Sequence, residues 1–297
     1  MTAPQTRTLE APGCVLTYDV RPGPGSAPVL LLIGSPMSAA GFGTLAGHFP
    51  DRTVATYDPR GADRSRRTDG ATVTTPEEHA DDLARLIAEL DAGPVDLFAT
   101  SGGAVNALVL VARRPELVRT LVAHEPPAAQ ALPDREAALA ASRYIHETYL
   151  YRGLGPAMAE FIRLVGHRGP VPGDFAEGPA ADPAAFGLPT EDDGSRDDPL
   201  VGQNMISSTH HVHDFAALRT ASTRIVVAVG AGSEGELAHR GGLAVAERLG
   251  TAPVVFPGDH GGFLGGEHGQ TGEPEAFAAK LREVLTAADR NGSSIGD

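Results

Sequence analysis

The sequence predicts an α/β fold: a mostly parallel, twisted sheet with helices on both faces and an inserted helical cap. Three observations carry this. Short apolar runs bounded by glycine and proline alternate with segments of helical periodicity. The run at residues 28–33 is apolar throughout, which suits a strand buried on both faces of a parallel sheet. The alternation breaks between about Ala128 and Ala221 and then resumes. A structureless loop of that length is improbable in a compact domain. The chain therefore divides into a core, residues 1–127 and 222–297, and a helical cap, residues 128–221.

Residues 14–20 read as a first strand, followed by a Pro/Gly turn, and residues 28–33 and 53–57 as the next two. Thr75-Pro76-Glu77-Glu78 opens a helix: Thr75 caps, Pro76 occupies the first helical position and Glu78 completes a capping box. Leu83, Ile87 and Leu90 then share one face, and Gly93-Pro94 stops the helix. Residues 95–99 form a strand, 103–113 a helix, and 117–124 a strand halted by Pro126-Pro127. Within the cap, residues 135–151 and 156–165 are helical, and a Pro/Gly/Asp-rich segment covers 169–198. The core resumes with a strand at 224–229, a helix at 236–249, a strand at 253–256 and a helix at 274–287. Residues 291–297 read as a frayed tail.

Composition narrows the function classes. The 297 residues carry 38 acidic against 24 basic side chains, a formal charge of −14. Nucleic acid and anionic membranes reward Lys/Arg patches, so neither is expected as a partner. Cys14 is the one cysteine, which excludes an intrachain disulfide and a cysteine-based metal site. Residues 1–13 lack the apolar stretch of a signal peptide, and residues 29–33 fall far short of the ~20 apolar residues of a membrane span. A cytoplasmic protein acting on a small molecule is the expectation; a homodimer is left open.

Ala99-Thr100-Ser101-Gly102-Gly103 joins a predicted strand directly to a predicted helix. This resembles the nucleophile elbow of the α/β-hydrolase family, G-x-S-x-G, with Ala99 in place of the first glycine. Such a turn strains the serine backbone and aims its Oγ away from the sheet, over a helix N-terminus. Haloalkane dehalogenases and epoxide hydrolases of this fold use an aspartate there, so Ser101 points instead to acyl transfer.

A serine nucleophile needs a base. Of 11 histidines, His260 lies in a short Gly-rich loop after the last predicted strand, Pro257-Gly258-Asp259-His260-Gly261-Gly262, where the family keeps its base. His268 follows too late in the chain. His210, His211 and His213 with Asp214 have the look of a metal cluster, but they fall in the cap or its return and the family's chemistry uses no metal. No metal and no cofactor are therefore expected.

The family's acid usually follows the strand at 224–229, three residues after a glycine; that position holds Ser233, and Glu234 is one residue late. A second location, used by some haloalkane dehalogenases, is the end of the strand after the nucleophile helix. It holds Glu125, 24 residues after Ser101 and fixed by Pro126-Pro127. Glu125 is preferred, with Glu234 the alternative. By position, the oxyanion would be held by the backbone N–H groups of Ser35, in Ile33-Gly34-Ser35-Pro36-Met37, and of Gly102. Ile33 replaces the family's histidine in that loop, and Met37 either lines the pocket floor or packs in the core. Tyr57-Asp58-Pro59-Arg60-Gly61-Ala62-Asp63-Arg64-Ser65 resembles the family's structural D-x-R-G-x-G-x-S turn, with Asp63 replacing the second glycine.

The resemblance spans about residues 14–289 and implies a serine hydrolase that cleaves a carboxylic ester or lactone of a small, mostly apolar substrate. Amide, thioester or C–C hydrolysis and cofactor-free perhydrolysis use the same machinery. A non-catalytic binding protein is the competing class, although such relatives typically lose the serine or the histidine. Tyr144, Tyr149, Tyr151, Phe161 and Phe186 could roof the pocket. Eight acidic residues between Asp174 and Asp198 would disfavour anionic substrates if they lie at the pocket mouth.

Overall fold

The computed structural model describes residues 3–292. Two strands, β1 (Gln5–Ala11) and β2 (Cys14–Arg21), form an antiparallel hairpin. Next come β3 (Leu30–Ile33), the short helix α1 (Gly43–Gly47), β4 (Val54–Tyr57) and the two-residue strand β5 (Arg66–Arg67). Helix α2 (Pro76–Leu90) carries the capping box foreseen from Thr75 and Glu78. The elements β6 (Val95–Thr100), α3 (Gly102–Arg113) and β7 (Val118–His124) follow within two residues of the predicted bounds. After β7 come α4 (Arg135–Arg152), α5 (Leu154–Val165), α6 (Met205–His210) and α7 (Phe215–Thr220). The chain then returns to the sheet with β8 (Arg224–Gly230), α8 (Leu237–Leu249), β9 (Val254–Phe256) and α9 (Pro274–Gly292).

The strand order is β1-β2-β4-β3-β6-β7-β8-β9, with β5 pairing β2. Every pairing from β4 to β9 along this path is parallel, and β2 meets β4 antiparallel. One apolar cluster packs α2 and α3 on one face of the sheet; a second packs α1, Phe263 and α9 on the other. This is the α/β architecture with helices on both faces that the alternation predicts. β6 is buried at every position and sits mid-sheet, so the turn at its carboxyl end is held on all sides.

Several elements carry no hydrophobic signal. β1 is an edge strand, exposed along most of its length, so its residues do not alternate. The segment 200–220, read only as part of the cap, holds a π-turn at Leu200–Asn204, then α6 and α7. The helix α9 runs to Gly292; residues 293–297 of the foreseen tail lie outside the described residues. No helix among the described residues is long and apolar enough to cross a membrane. The segment between β7 and β8 has its own apolar cluster, with Ile145, Tyr149, Leu164 and Val201 at its centre and Leu237 of α8 joining it.

The Asp58–Ser65 turn is built from buried polar contacts. Asp58 accepts from Arg64 and from the Ala39 amide, and Arg60 grips Asp82 of α2 through Nε (2.7 Å) and Nη2 (2.6 Å). Asp63, which replaces the family's glycine, adopts φ 47°.

Candidate active site

Ser101 links β6 to α3 with φ 55° and ψ −131°, a backbone conformation an L-residue rarely adopts. Its amide donates to the His124 carbonyl (3.0 Å), and its own carbonyl accepts from Ala104 N–H (2.9 Å). The side chain makes no capping bond to the helix. The strain orients Oγ rather than completing the helix.

The residues after Ser101 must be small. A Cβ on Gly102 would lie 2.6 Å from the Ser35 carbonyl oxygen, and one on Gly103 would lie 2.8 Å from Gly34 Cα. The loop after β3 is therefore pressed backbone to backbone against the elbow. Gly103→Ala is expected to push residues 34–35 away and lower kcat about 100-fold. Steady-state kinetics alongside a thermal melt would check this, and kcat within threefold of wild type would contradict it.

Glu125 follows β7 directly and adopts φ 47°. Its side chain is fully buried. Oε1 accepts from the Gly230 amide (2.8 Å) and from the Ser233 hydroxyl, while Oε2 lies 2.6 Å from His260 Nδ1. Burial alone would push the carboxyl up. The His260 hydrogen bond leads the opposing effects, which outweigh burial and hold it at about 2. A carboxylate only accepts, so Nδ1 carries the imidazole proton and Nε2 is left as the basic nitrogen.

The His260 loop needs its glycine at 258, which has φ 79° and where a Cβ would meet Gly262 Cα at 2.7 Å. Behind His260 lies His124, whose ring stacks on it at 6.0 Å. His124 Nδ1 is 3.0 Å from Thr100 Oγ1, and burial pushes its imidazole down to about 4, so it stays neutral at pH 7.

Ser101, Gly102, Ser35 and His260 line one cavity of about 360 Å³. Its far wall comes from the segment between β7 and β8, including Ser142, Phe161, Leu200, Asn204 and Ser208. Ser35 is tied to this wall: its hydroxyl donates to Asn204 Oδ1 at 2.6 Å. Asn204 closes the π-turn, a helix irregularity common at functional sites.

The structure thus brings together Ser101, His260, Glu125, Ser35 and Gly102. Glu234 is exposed, and its buried neighbour Ser233 donates to Glu125 instead. Met37 packs against the core cluster of α9. Of the five aromatics proposed as a roof, Phe161 lines the cavity; Tyr144 packs edge-on against Phe175, Tyr151 and Phe186 are exposed, and the Tyr149 hydroxyl accepts from Asp198 N–H (2.9 Å). The acidic segment is not at the cavity wall. Asp192 pairs with Arg196, and Asp198 holds the first amides of the π-turn. Sequence reasoning did not foresee the Ser233 contact with Glu125, the Asn204 contact with Ser35, or Glu236 in the cavity lining. Ser233 alone had a signal, because it stands where the family keeps its acid. Cys14 is buried on β2. His211 and His213 pack ring to ring, Asp214 caps α7, and no group of three metal-binding side chains is disposed around one point among the described residues.

A family model described as the alpha/beta hydrolase fold matches residues 27–161. YraK of Bacillus subtilis (strain 168), an uncharacterized hydrolase, is 32% identical over 291 residues, covering 94% of this chain and 95% of that protein. Among solved structures, a thermophilic esterase from Thermogutta terrifontis is similar at a TM-score of 0.66 and 21% identity, covering 97% of this chain and 99% of that one. A carboxylesterase structure from Nitrososphaera gargenis is similar at 0.68 and 17% identity, covering 96% and 100%. At these identities the two structures speak to the fold.

Proposed function

The chain belongs to the α/β-hydrolase fold family and is a hydrolase; from that premise we propose that it is a serine hydrolase cleaving a carboxylic ester or lactone of a small, mostly apolar substrate. Ser101 Oγ attacks the carbonyl carbon while His260 Nε2 takes its proton. Glu125 keeps the imidazole in the required tautomer and stabilises the imidazolium that forms. The amides of Ser35 and Gly102 donate to the oxyanion. The imidazolium returns its proton to the leaving alkoxide, and water, activated by the same base, releases the acyl group. Residues 128–221 act as the cap that closes the cavity over Ser101.

The observation that carries this reading is the 2.6 Å contact between Glu125 and His260 in the wall of a cavity that also holds a strained serine. Apolar side chains such as Ile162, Leu164 and Leu237 around that serine support a mostly apolar substrate. A fluorophosphonate probe tests it. One adduct per chain is expected, mapping to the peptide that contains Ser101. An unlabelled intact protein, or an adduct elsewhere, would overturn the assignment.

A further inference from the structure

Two residues that line the cavity carry titratable side chains, His260 and Glu236; none of the lining residues is an arginine or a lysine. Glu236 stands at the N-cap of α8, yet its side chain makes no capping bond. Its Oε1 is 3.3 Å from Arg168 Nη2, whose shorter contact, 2.8 Å, goes to the Gly232 carbonyl. Arg168 is mostly solvated, so it offsets the carboxylate from the water side only. Burial pushes the Glu236 carboxyl up, and Arg168 opposes that shift. The other carboxylate nearby, Glu125, is not among the lining residues and is held by three donors, Gly230 N–H, the Ser233 hydroxyl and His260 Nδ1. The facing wall offers neutral hydrogen-bonding groups, from Ser142, Asn204, Ser208 and Thr209.

We propose that Glu236 sets the charge preference of this cavity: it excludes esters that carry a carboxylate and admits uncharged or amine-bearing ones. The inference rests on the serine-hydrolase reading and names the substrate class within it. A second negative charge brought to about 8 Å at an effective dielectric near 20 is disfavoured about 30-fold. Asp174 to Asp198, the acidic stretch that composition draws attention to, contributes none of the lining.

The test compares kcat/KM for three 4-nitrophenyl esters of equal length at pH 8 and low salt: hexanoate, the adipate half-ester and 6-aminohexanoate. Wild type is expected to prefer the hexanoate and the aminohexanoate over the adipate by at least about tenfold. Glu236→Gln should shrink the hexanoate-to-adipate ratio by about tenfold, whatever it does to overall rate, because both esters meet the same catalytic groups. Arg168→Ala should widen the ratio, and it serves if the Gln variant fails to fold. A wild-type ratio near one overturns the proposal. So does a ratio that moves in neither variant while hexanoate is still hydrolysed. Loss of turnover on all three esters, together with no fluorophosphonate adduct, overturns the serine-hydrolase reading as well.

Discussion

Replacing Ser101 with alanine is expected to lower kcat on 4-nitrophenyl butyrate by about 10⁴- to 10⁶-fold, with little change in KM. The substitution deletes Oγ and nothing else that the fold uses. The Ser101 side chain caps no helix amide, and the strained backbone is held by its neighbours: its amide on the His124 carbonyl, Gly102 and Gly103 pressed on the loop at 34–35. A melting temperature equal to wild type, or slightly above it, should therefore accompany the loss of rate. The residual rate would measure what the oxyanion donors and the cavity supply without a nucleophile. If Ser101→Ala retained a tenth of wild-type kcat, the acyl-enzyme mechanism would be wrong.

The parallel core was legible because its strands are buried on both faces and so are written as mostly apolar runs: Leu30–Ile33 is unbroken, and Val95–Thr100 is interrupted by Asp96, which pairs with Arg52 and Arg119. The edge hairpin strand β1 was not, because exposure on most of its length removes the pattern that reading depends on. Within the site, Ser101 and His260 announce themselves through local chemistry: each needs small neighbours beside it in the chain. Ser233 is marked only by standing where the family keeps its acid, and Asn204 and Glu236 by nothing local. Their placement depends on contacts across 108, 169 and 68 residues respectively: Ser233 with Glu125, Asn204 with Ser35 and Glu236 with Arg168. No local pattern encodes such pairings. The α4 aromatics Tyr144, Tyr149 and Tyr151 are absent from the cavity lining for a related reason. Helical spacing shows that α4 and α5 have apolar faces, but not which of those faces meets the insertion's own core and which meets the cavity.

Glu125→Gln is expected to lower kcat about 10³- to 10⁴-fold, while Glu234→Gln stays within about twofold of wild type. The reason lies on the far side of the carboxylate. The Gly230 N–H can only donate, so the atom it meets at 2.8 Å must remain an oxygen. Glutamine would therefore turn its NH₂ toward His260 Nδ1, where a donor now faces a donor. The imidazole answers by moving its proton to Nε2, and the nitrogen that should take the Ser101 proton is no longer basic. Ser233 strengthens the effect, since its hydroxyl is already committed to the same Oε1. A pH-dependent signature separates this from simple damage. The Glu125 carboxyl is held at about 2 against an ordinary value of 4.5, so its ionised form contributes about 3 kcal/mol. Because the folded value is the lower one, that contribution is complete above about pH 5 and disappears as pH falls toward 2. Urea unfolding across this window should show wild type losing stability that Glu125→Gln never had. Wild-type kcat in Glu125→Gln, with collapse in Glu234→Gln, would instead hand the acid's role to the turn after β8. Glu234 is exposed in that turn, and its carboxylate would have to displace Ser233 to reach the imidazole.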